Sequence, residues 1–419
     1  MLDVNILFLI TILIYSTKKL GNRKKILAFS ILFNLSILFF FKYYNFFIDT
    51  FFDMFSIDSS DSSFGLLNII LPVGISFYTF QTMSYSIDVY NKKLQPTNDL
   101  ISFAVFVSFF PQLVAGPIER ATKFLPQIIS KRTFNYQIAN AGLYLILIGF
   151  FKKLVIADGV APTVDSIFSN FERLNYINLF IGSLLFSFQI YCDFSGYTDI
   201  ARGISKLLGF ELRLNFNFPY FASSISDFWR RWHISLSTWF RDYLYIPLGG
   251  SRRSLNRTLI NIFIVFVVSG LWHGANLTFI FWGFLHALMF IPSFLLRKYY
   301  DGNKLNIHPV IKSLFIFLAV NFAWIFFRSD TINNALFYCK KIFLFDEGLN
   351  YLSLSVMGAG SLSNLIVSVF FILCLIIYEI FEYNKIKLRP NIGFIISIII
   401  IILLFGQFSD EKSFIYFQF

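Results

Sequence analysis

Long apolar runs separated by short polar segments fill most of the chain. Ten of them are of spanning length or near it: 2–17, 26–48, 64–90, 136–157, 176–197, 258–272, 276–296, 310–327, 361–381 and 391–408. About 20 mostly apolar residues carry a helix across the hydrocarbon core of a bilayer. The runs are continuous and do not alternate, which excludes the strand pattern of a β-barrel. The pattern therefore predicts an all-α polytopic membrane protein with about ten transmembrane helices. The first run, Leu2–Tyr15, is followed by Lys18 and Lys19 with no small-residue cleavage site. It reads as a retained span and not as a signal peptide.

An eleventh run, 100–117, is interrupted by Pro111, Gly116 and Pro117. Both of its flanks are basic, so a crossing would leave one of them on the outer face. The expectation is a re-entrant or interfacial element. Irregular backbone at that depth must be buried in protein or line a watery cavity, which points to a cavity opening to the cytosol. Basic residues support the layout, because cytosolic loops collect Lys and Arg. Segments assigned inside (18–25, 91–135, 198–257, 297–309, 382–390) hold 26 of the 35, and the outside segments hold 5. This places both termini outside. With no repeat and no linker, the chain is expected to be a single membrane domain, 1–419. Ser56–Ser63 reads as a polar external loop.

Composition agrees. The chain is 56% hydrophobic and 14% charged, against about 45–50% and about 25% in soluble domains. The net charge of +11 is accounted for by cytosolic loops, so a nucleic-acid partner is a poor reading. Cys192, Cys339 and Cys374 form no metal or disulfide spacing.

One stretch departs from the apolar pattern: "DFWRRWHISLSTWFRDYLYIPLGGSR", 227–252. Ser224 and Asp227 form a capping-box pattern, and Pro247 with Gly249–Gly250 closes the far end. A single helix over 225–245 is expected, about 31 Å long at 1.5 Å per residue. Phe228, Trp232, Leu236, Trp239 and Tyr243 make its apolar face. Its charges suit the inner membrane surface and not the hydrocarbon. Two readings stand. The helix anchors to anionic lipid, or Arg230, Arg231, Arg241, Arg252, Arg253 and Arg257 face a polyanionic ligand from the cytosol. Trp229 and Trp232 join them as candidate substrate contacts.

His273 lies in "VVSGLWHGANLTFIFWG", apolar on both sides. A titratable group at membrane depth is either a neutral imidazole bonded to a neighbouring carbonyl or a functional group. Gly270 and Gly274 permit close backbone approach or a helix break. Imidazole suits base-assisted attack of an external hydroxyl on an activated acyl group. His286 reads as a packing or hydrogen-bonding residue, and His308 as inert.

The chain resembles the bacterial membrane-bound O-acyltransferases (MBOAT), in the group of alginate and peptidoglycan O-acetyltransferases. The resemblance rests on "LPVGISFYTFQTMSYSIDVY" (71–90), "FFPQLVAGPIER" (109–120), "QIYCDFSGYTDIARGISKLLGF" (189–210), "NFNFPYFASSISDFWRRWHISLSTWFRDYLYIPLGGSR" (215–252) and "GLWHGANLTFIFWGFLHAL" (270–288). Together they mark a motif core of about 71–296. Members of this type usually carry a further hydrophobic section before the part matching Leu2–Lys25.

The resemblance implies helices around a central cavity and a plasma-membrane location. It implies acetyl-CoA arriving from the cytosol as donor substrate, with no bound cofactor and no metal. It implies a glycan acceptor on the outer side, often served by an SGNH-type periplasmic transferase. The family's essential histidine falls on His273, and its second polar position on His233. Asp193, Ser195 and Asp199, in "DFSGYTDI", match as well and either line the cavity or bond helix to helix. Oxyanion donors are expected from His233 or from the backbone at Gly270 and Gly274. Transfer of D-alanyl or another acyl group, a transporter and a non-catalytic scaffold are the alternatives.

Overall fold

The computed structural model describes residues 2–55, 66–299, 308–349, 362–386 and 391–408. The expected loop Ser56–Ser63 lies outside them. Regular structure among these residues is helical, apart from one isolated bridge between Leu174 and Leu349. Among the described residues, six helical runs are long and apolar enough to cross a membrane: 20–52, 176–207, 255–273, 277–299, 309–328 and 365–383. Two apolar helices, 4–16 and 392–405, are shorter. The protein is therefore a multi-pass helical membrane protein.

Two of the expected spans take a different form. Within the expected 64–90, of which 66–90 are described, only α4 (Ile75–Tyr90) is helical, starting after Gly74. Gly74 has φ of +76°, and a β-carbon there would lie 2.2 Å from the Leu113 carbonyl oxygen. Pro72 and this left-handed glycine end the helix early. Over 136–157, α8 (Tyr136–Phe150) passes through a π-helical turn, Phe151–Ala157, into α9 (Asp158–Ser169). That turn carries Lys152 and Lys153.

Contacts divide the chain into two compact units. The first, 1–139 with 205–213, holds α1 (Leu2–Ser16), α2 (Leu20–Leu38), α3 (Tyr44–Phe55), α4, α5 (Leu100–Ser108), α6 (Phe110–Leu113) and α7 (Ala121–Ile129). Its core is aromatic: Tyr85, Phe103, Phe106, Phe109, Phe124 and Phe210 pack ring to ring. The run 100–117 is broken at Phe109, and 115–120 are buried without helical structure. This matches the expected irregular element. Glu119 is buried there and receives the Arg213 backbone N–H at 2.6 Å.

The second unit, 140–204 with 214–419, holds the histidines. Its long helix α10 (Tyr176–Leu207) runs beyond the expected 176–197. Helices α13 (Leu255–His273) and α14 (Leu277–Tyr299) form a tight hairpin. Glycines set its spacing. A β-carbon at Gly270 would lie 2.2 Å from the Phe279 carbonyl oxygen, and one at Gly283 would lie 2.3 Å from that of Phe266. Small residues at the contact let membrane helices approach this closely. Helices α15 (Pro309–Arg328), α16 (Ile332–Phe343), α17 (Leu362–Tyr383) and α18 (Ile392–Phe405) complete the unit.

The helix expected over 225–245 is two helices. α11 (Ile225–Arg231) and α12 (Ile234–Phe240) are separated by Trp232 and His233, and a π-helical turn, Arg241–Tyr245, follows. His233 has φ of +42°, a left-handed conformation uncommon outside glycine. The cause is the non-helical segment 215–217, which lies against the break. Asn217 N–H donates to the Arg231 carbonyl, and Ile234 N–H donates to that of Asn215, each at 2.9 Å. These bonds satisfy backbone groups that the interrupted helix leaves open. The expected cap is present: Asp227 N–H donates to Ser224 Oγ at 3.1 Å.

Candidate functional site

The break in 225–245 and the end of α13 bring His233 and His273 together. Their ring centroids are 6.4 Å apart. Both are buried, at 0% and 4% exposure. His273 is the last residue of α13, and Gly274 continues in extended conformation. The expected break at this glycine is therefore present. Trp272, Trp282 and Phe327 surround the His273 ring at 5.1, 5.1 and 5.4 Å. Phe194 of α10 meets His233 edge-on at 4.7 Å, with Trp272 at 6.0 Å.

Asn215 positions His233. Its Oδ1 lies 3.1 Å from His233 Nδ1. The same oxygen accepts the Ser235 backbone N–H at 3.2 Å and the Ser235 hydroxyl at 2.9 Å. Burial holds the His233 imidazole well below its usual range, at about 3, so it is neutral at physiological pH. Its Nε2 is buried with no hydrogen-bond partner.

His286 belongs to the same aromatic cluster. It is fully buried, 4.7 Å from Trp282 and 5.0 Å from Trp229. Both its ring nitrogens lack hydrogen-bond partners, as does the Trp282 indole N–H. The packing half of its expected role holds, and the bonding half has no partner here. His308 is exposed at the start of α15.

A cavity of about 420 Å³ opens beside this cluster. Ser226, Trp229 and Arg230 of α11, Arg241, Ser269 of α13 and Arg297 of α14 are among its walls. Ser269 lies one helical turn before His273, so the cavity ends next to the histidine layer, with Trp229 and Trp282 between (rings 5.8 Å apart). It presents cationic groups toward the ends of its helices and apolar groups and hydroxyls within.

The proposed contact residues divide accordingly. Arg230 and Arg241 line the cavity, with side chains 64% and 60% exposed. Trp229 lines it as well. Arg231 does not: its Nε donates to Asp227 Oδ2 at 2.9 Å, and its guanidinium sits over the Tyr383 ring at 5.5 Å. Trp232 is buried between Phe216 and Trp324, at 5.0 Å from each. Arg252, Arg253 and Arg257 are exposed.

Asp193 and Ser195 flank Phe194, and both are buried. Asp193 pairs with Lys153, which also binds Asp158 at 2.8 Å. Beside them Lys152 pairs with Asp199 at 2.9 Å, and Tyr191 donates to Glu379 at 2.5 Å. This is a buried network bonding helix to helix through Asp193, whereas Ser195 Oγ is buried with no hydrogen-bond partner. Sequence reasoning quoted Asn215 but did not single it out. The available signal was an amide inside the aromatic run "LNFNFPYF", where a lone polar group needs a specific partner.

Residues 94–329 match the model of the membrane-bound O-acyltransferase family. The chain is 37% identical over 372 residues to the "Probable alginate O-acetylase AlgI" of Azotobacter vinelandii, covering 88% of this chain and 71% of that protein. It is 37% identical over 377 residues to the peptidoglycan O-acetyltransferase of Helicobacter pylori, covering 83% and 69%. The teichoic acid D-alanyltransferase of Bacillus subtilis is 32% identical over 235 residues, covering 53% and 58%. The chain thus spans roughly six- to seven-tenths of the length of each of these relatives.

Proposed function

The chain belongs to the membrane-bound O-acyltransferase family, and from that premise we propose that it takes an acetyl group from cytosolic acetyl-CoA for O-acetylation of a polysaccharide outside the cell. The observation that carries the reading is the pair of buried histidines 6.4 Å apart beside an arginine-bearing cavity. Coenzyme A is anionic at one end and carries its thioester at the end of a long arm. Arg230, Arg241 and Arg297 suit the phosphates, and the apolar walls toward Ser269 suit the arm.

His273 is the general base. One of its ring nitrogens accepts the proton of the attacking hydroxyl as the oxygen bonds to the thioester carbonyl carbon. The carbonyl oxygen becomes an oxyanion, and buried N–H donors around it lower the barrier. Collapse breaks the carbon–sulfur bond, and the proton on His273 passes to the departing thiolate. Protons balance, and no acyl-enzyme is required.

The setting is the bacterial plasma membrane, with an SGNH-type transferase outside as partner for delivery to sugar. The D-alanyl relative supports a second reading, in which the transferred group is another acyl group. The test is mass measurement of ester-linked groups on cell-wall and capsule fractions, with wild-type protein, without it, and with His273→Ala. Loss of O-acetyl groups in the variant, at normal membrane levels, is expected. Retained acetylation refutes the base assignment, and an ester other than acetyl selects the second reading.

A further inference from the structure

We infer that Asn215 locks His233 in its Nδ1-protonated neutral tautomer, which makes Nε2 a lone-pair acceptor for a hydrogen-bond donor on the substrate. The role of the site rests on the acyl-transfer reading above, whereas the tautomer does not.

The backbone N–H of Ser235 can only donate, and it points at Asn215 Oδ1 from 3.2 Å. Turning the amide over would set an NH₂ group against that N–H, a donor facing a donor, so the orientation of Asn215 is tied to the backbone although it leaves the Asn215 NH₂ group without a partner. A carbonyl oxygen only accepts. The His233 nitrogen 3.1 Å away must therefore carry its proton. Full burial keeps the ring neutral, and a neutral imidazole has a single N–H. The lone pair then lies on Nε2, on the ring edge turned away from Asn215, where it is buried with no hydrogen-bond partner.

The left-handed backbone of His233 strengthens the case. Such a conformation persists only where its surroundings over-determine it, and it clusters at functional sites. Here the Asn215 carbonyl holds Ile234 N–H and the Asn215 side chain holds Ser235 N–H. One residue thus sets both the backbone turn and the protonation pattern of the ring it presents.

The consequence separates two roles left open by the sequence. With its lone pair on Nε2, His233 does not donate to an oxyanion. It accepts a hydrogen bond from a group other than the one His273 deprotonates. Two donors fit that chemistry: an amide N–H on the arm of the acyl donor, or a second hydroxyl on the acceptor. Asn215 acts through His233 and is a positioning residue.

The experiment is solid-state ¹⁵N NMR on the full-length protein in lipid, with labelled histidine and His233→Gln to assign its signal among four histidines. At neutral pH a protonated Nδ1 and a bare Nε2 are expected. A protonated Nε2 overturns the proposal. Asn215→Asp keeps an acceptor for Ser235 and Nδ1, so the tautomer and at least a tenth of the acetyl transfer should survive. The added charge should move the acidic limb of the pH–rate profile upward. Asn215→Leu should lose the tautomer preference and about 100-fold in rate, and an unchanged tautomer there overturns the role of Asn215.

In His233→Gln, a raised KM for acetyl-CoA identifies the donor arm as the bonded group. A raised KM for the glycan identifies the acceptor. An unchanged KM for both overturns the substrate bond. The tautomer is read without turnover, so failure of the acetyl-transfer reading and failure of this one are distinguishable.

Discussion

All three arginines pair with a neighbouring carboxylate, but Arg230 and Arg241 line the cavity with most of their side chains in solvent, whereas Arg231 is mostly buried between Asp227 and Tyr383. Adjacent residues of one charge therefore carry different expectations. Arg230→Ala and Arg241→Ala should each raise the KM for acetyl-CoA by up to about tenfold, equivalent to about 1.4 kcal/mol, with kcat preserved. The effect should shrink at high salt, because exposed charges are screened. Arg231→Ala should instead lower the yield of folded protein without a selective KM effect. Steady-state kinetics at two ionic strengths checks all three. A second test concerns the oxyanion. With His233 an acceptor, the buried Trp282 N–H, whose ring lies 5.1 Å from that of His273, is the donor to examine. Loss of one oxyanion donor costs about 10²–10³ in kcat. Trp282→Phe, which keeps a ring in place, should fall in or near that range with little change in KM; unchanged kcat places the donor elsewhere.

At the scale of elements, the α13–α14 hairpin aligns His273, since its two glycines bring backbone against backbone. Gly270→Ala or Gly283→Ala forces a β-carbon against a carbonyl oxygen at 2.2 or 2.3 Å. Overpacking of this kind typically costs about 1–3 kcal/mol, so each variant should unfold at lower temperature in detergent and lose activity together with stability. An unchanged melting temperature would show that the hairpin yields easily. Both helices and the histidine between them were legible in the sequence, because hydropathy and the glycine positions are local signals. The break at His233 was not. Cap, apolar spacing and closing Pro–Gly all favoured one helix over 225–245, and nothing within that stretch reports a competitor. The competitor is Asn215–Asn217, outside the helix, which satisfies the backbone groups of the break. The same limit hid the fate of Arg231 and Asp193, whose partners Tyr383 and Lys153 lie far away in sequence. Charge type could be read from the chain, but the direction in which each charge faces depends on tertiary contacts.

For the molecule as a whole, the mechanism needs sidedness: the donor cavity must face the cytosol and the reacting hydroxyl must come from the other side. The basic-residue bias supplies that orientation through 198–257, which holds nine of the basic residues, whereas 158–175 holds one and 328–360 three. In a chain lacking its three cysteines, single cysteines placed at exposed positions test it directly. Ser251→Cys, beside the cavity, should react with a membrane-impermeant maleimide only after cells are opened. Glu172→Cys and Asp330→Cys should react in intact cells. The contrast is decisive because Arg328 reaches from the end of α15 to Asp165 at 2.8 Å, tying the segments that carry Glu172 and Asp330 to one another. Those two must therefore label alike. If Ser251→Cys labels in intact cells and the other two do not, the orientation is reversed, and acetyl-CoA from the cytosol has no route to Arg241. If all three label alike, α13, α14 and α15 do not all cross, and the layout that sets the cavity and the outer loops on opposite sides fails.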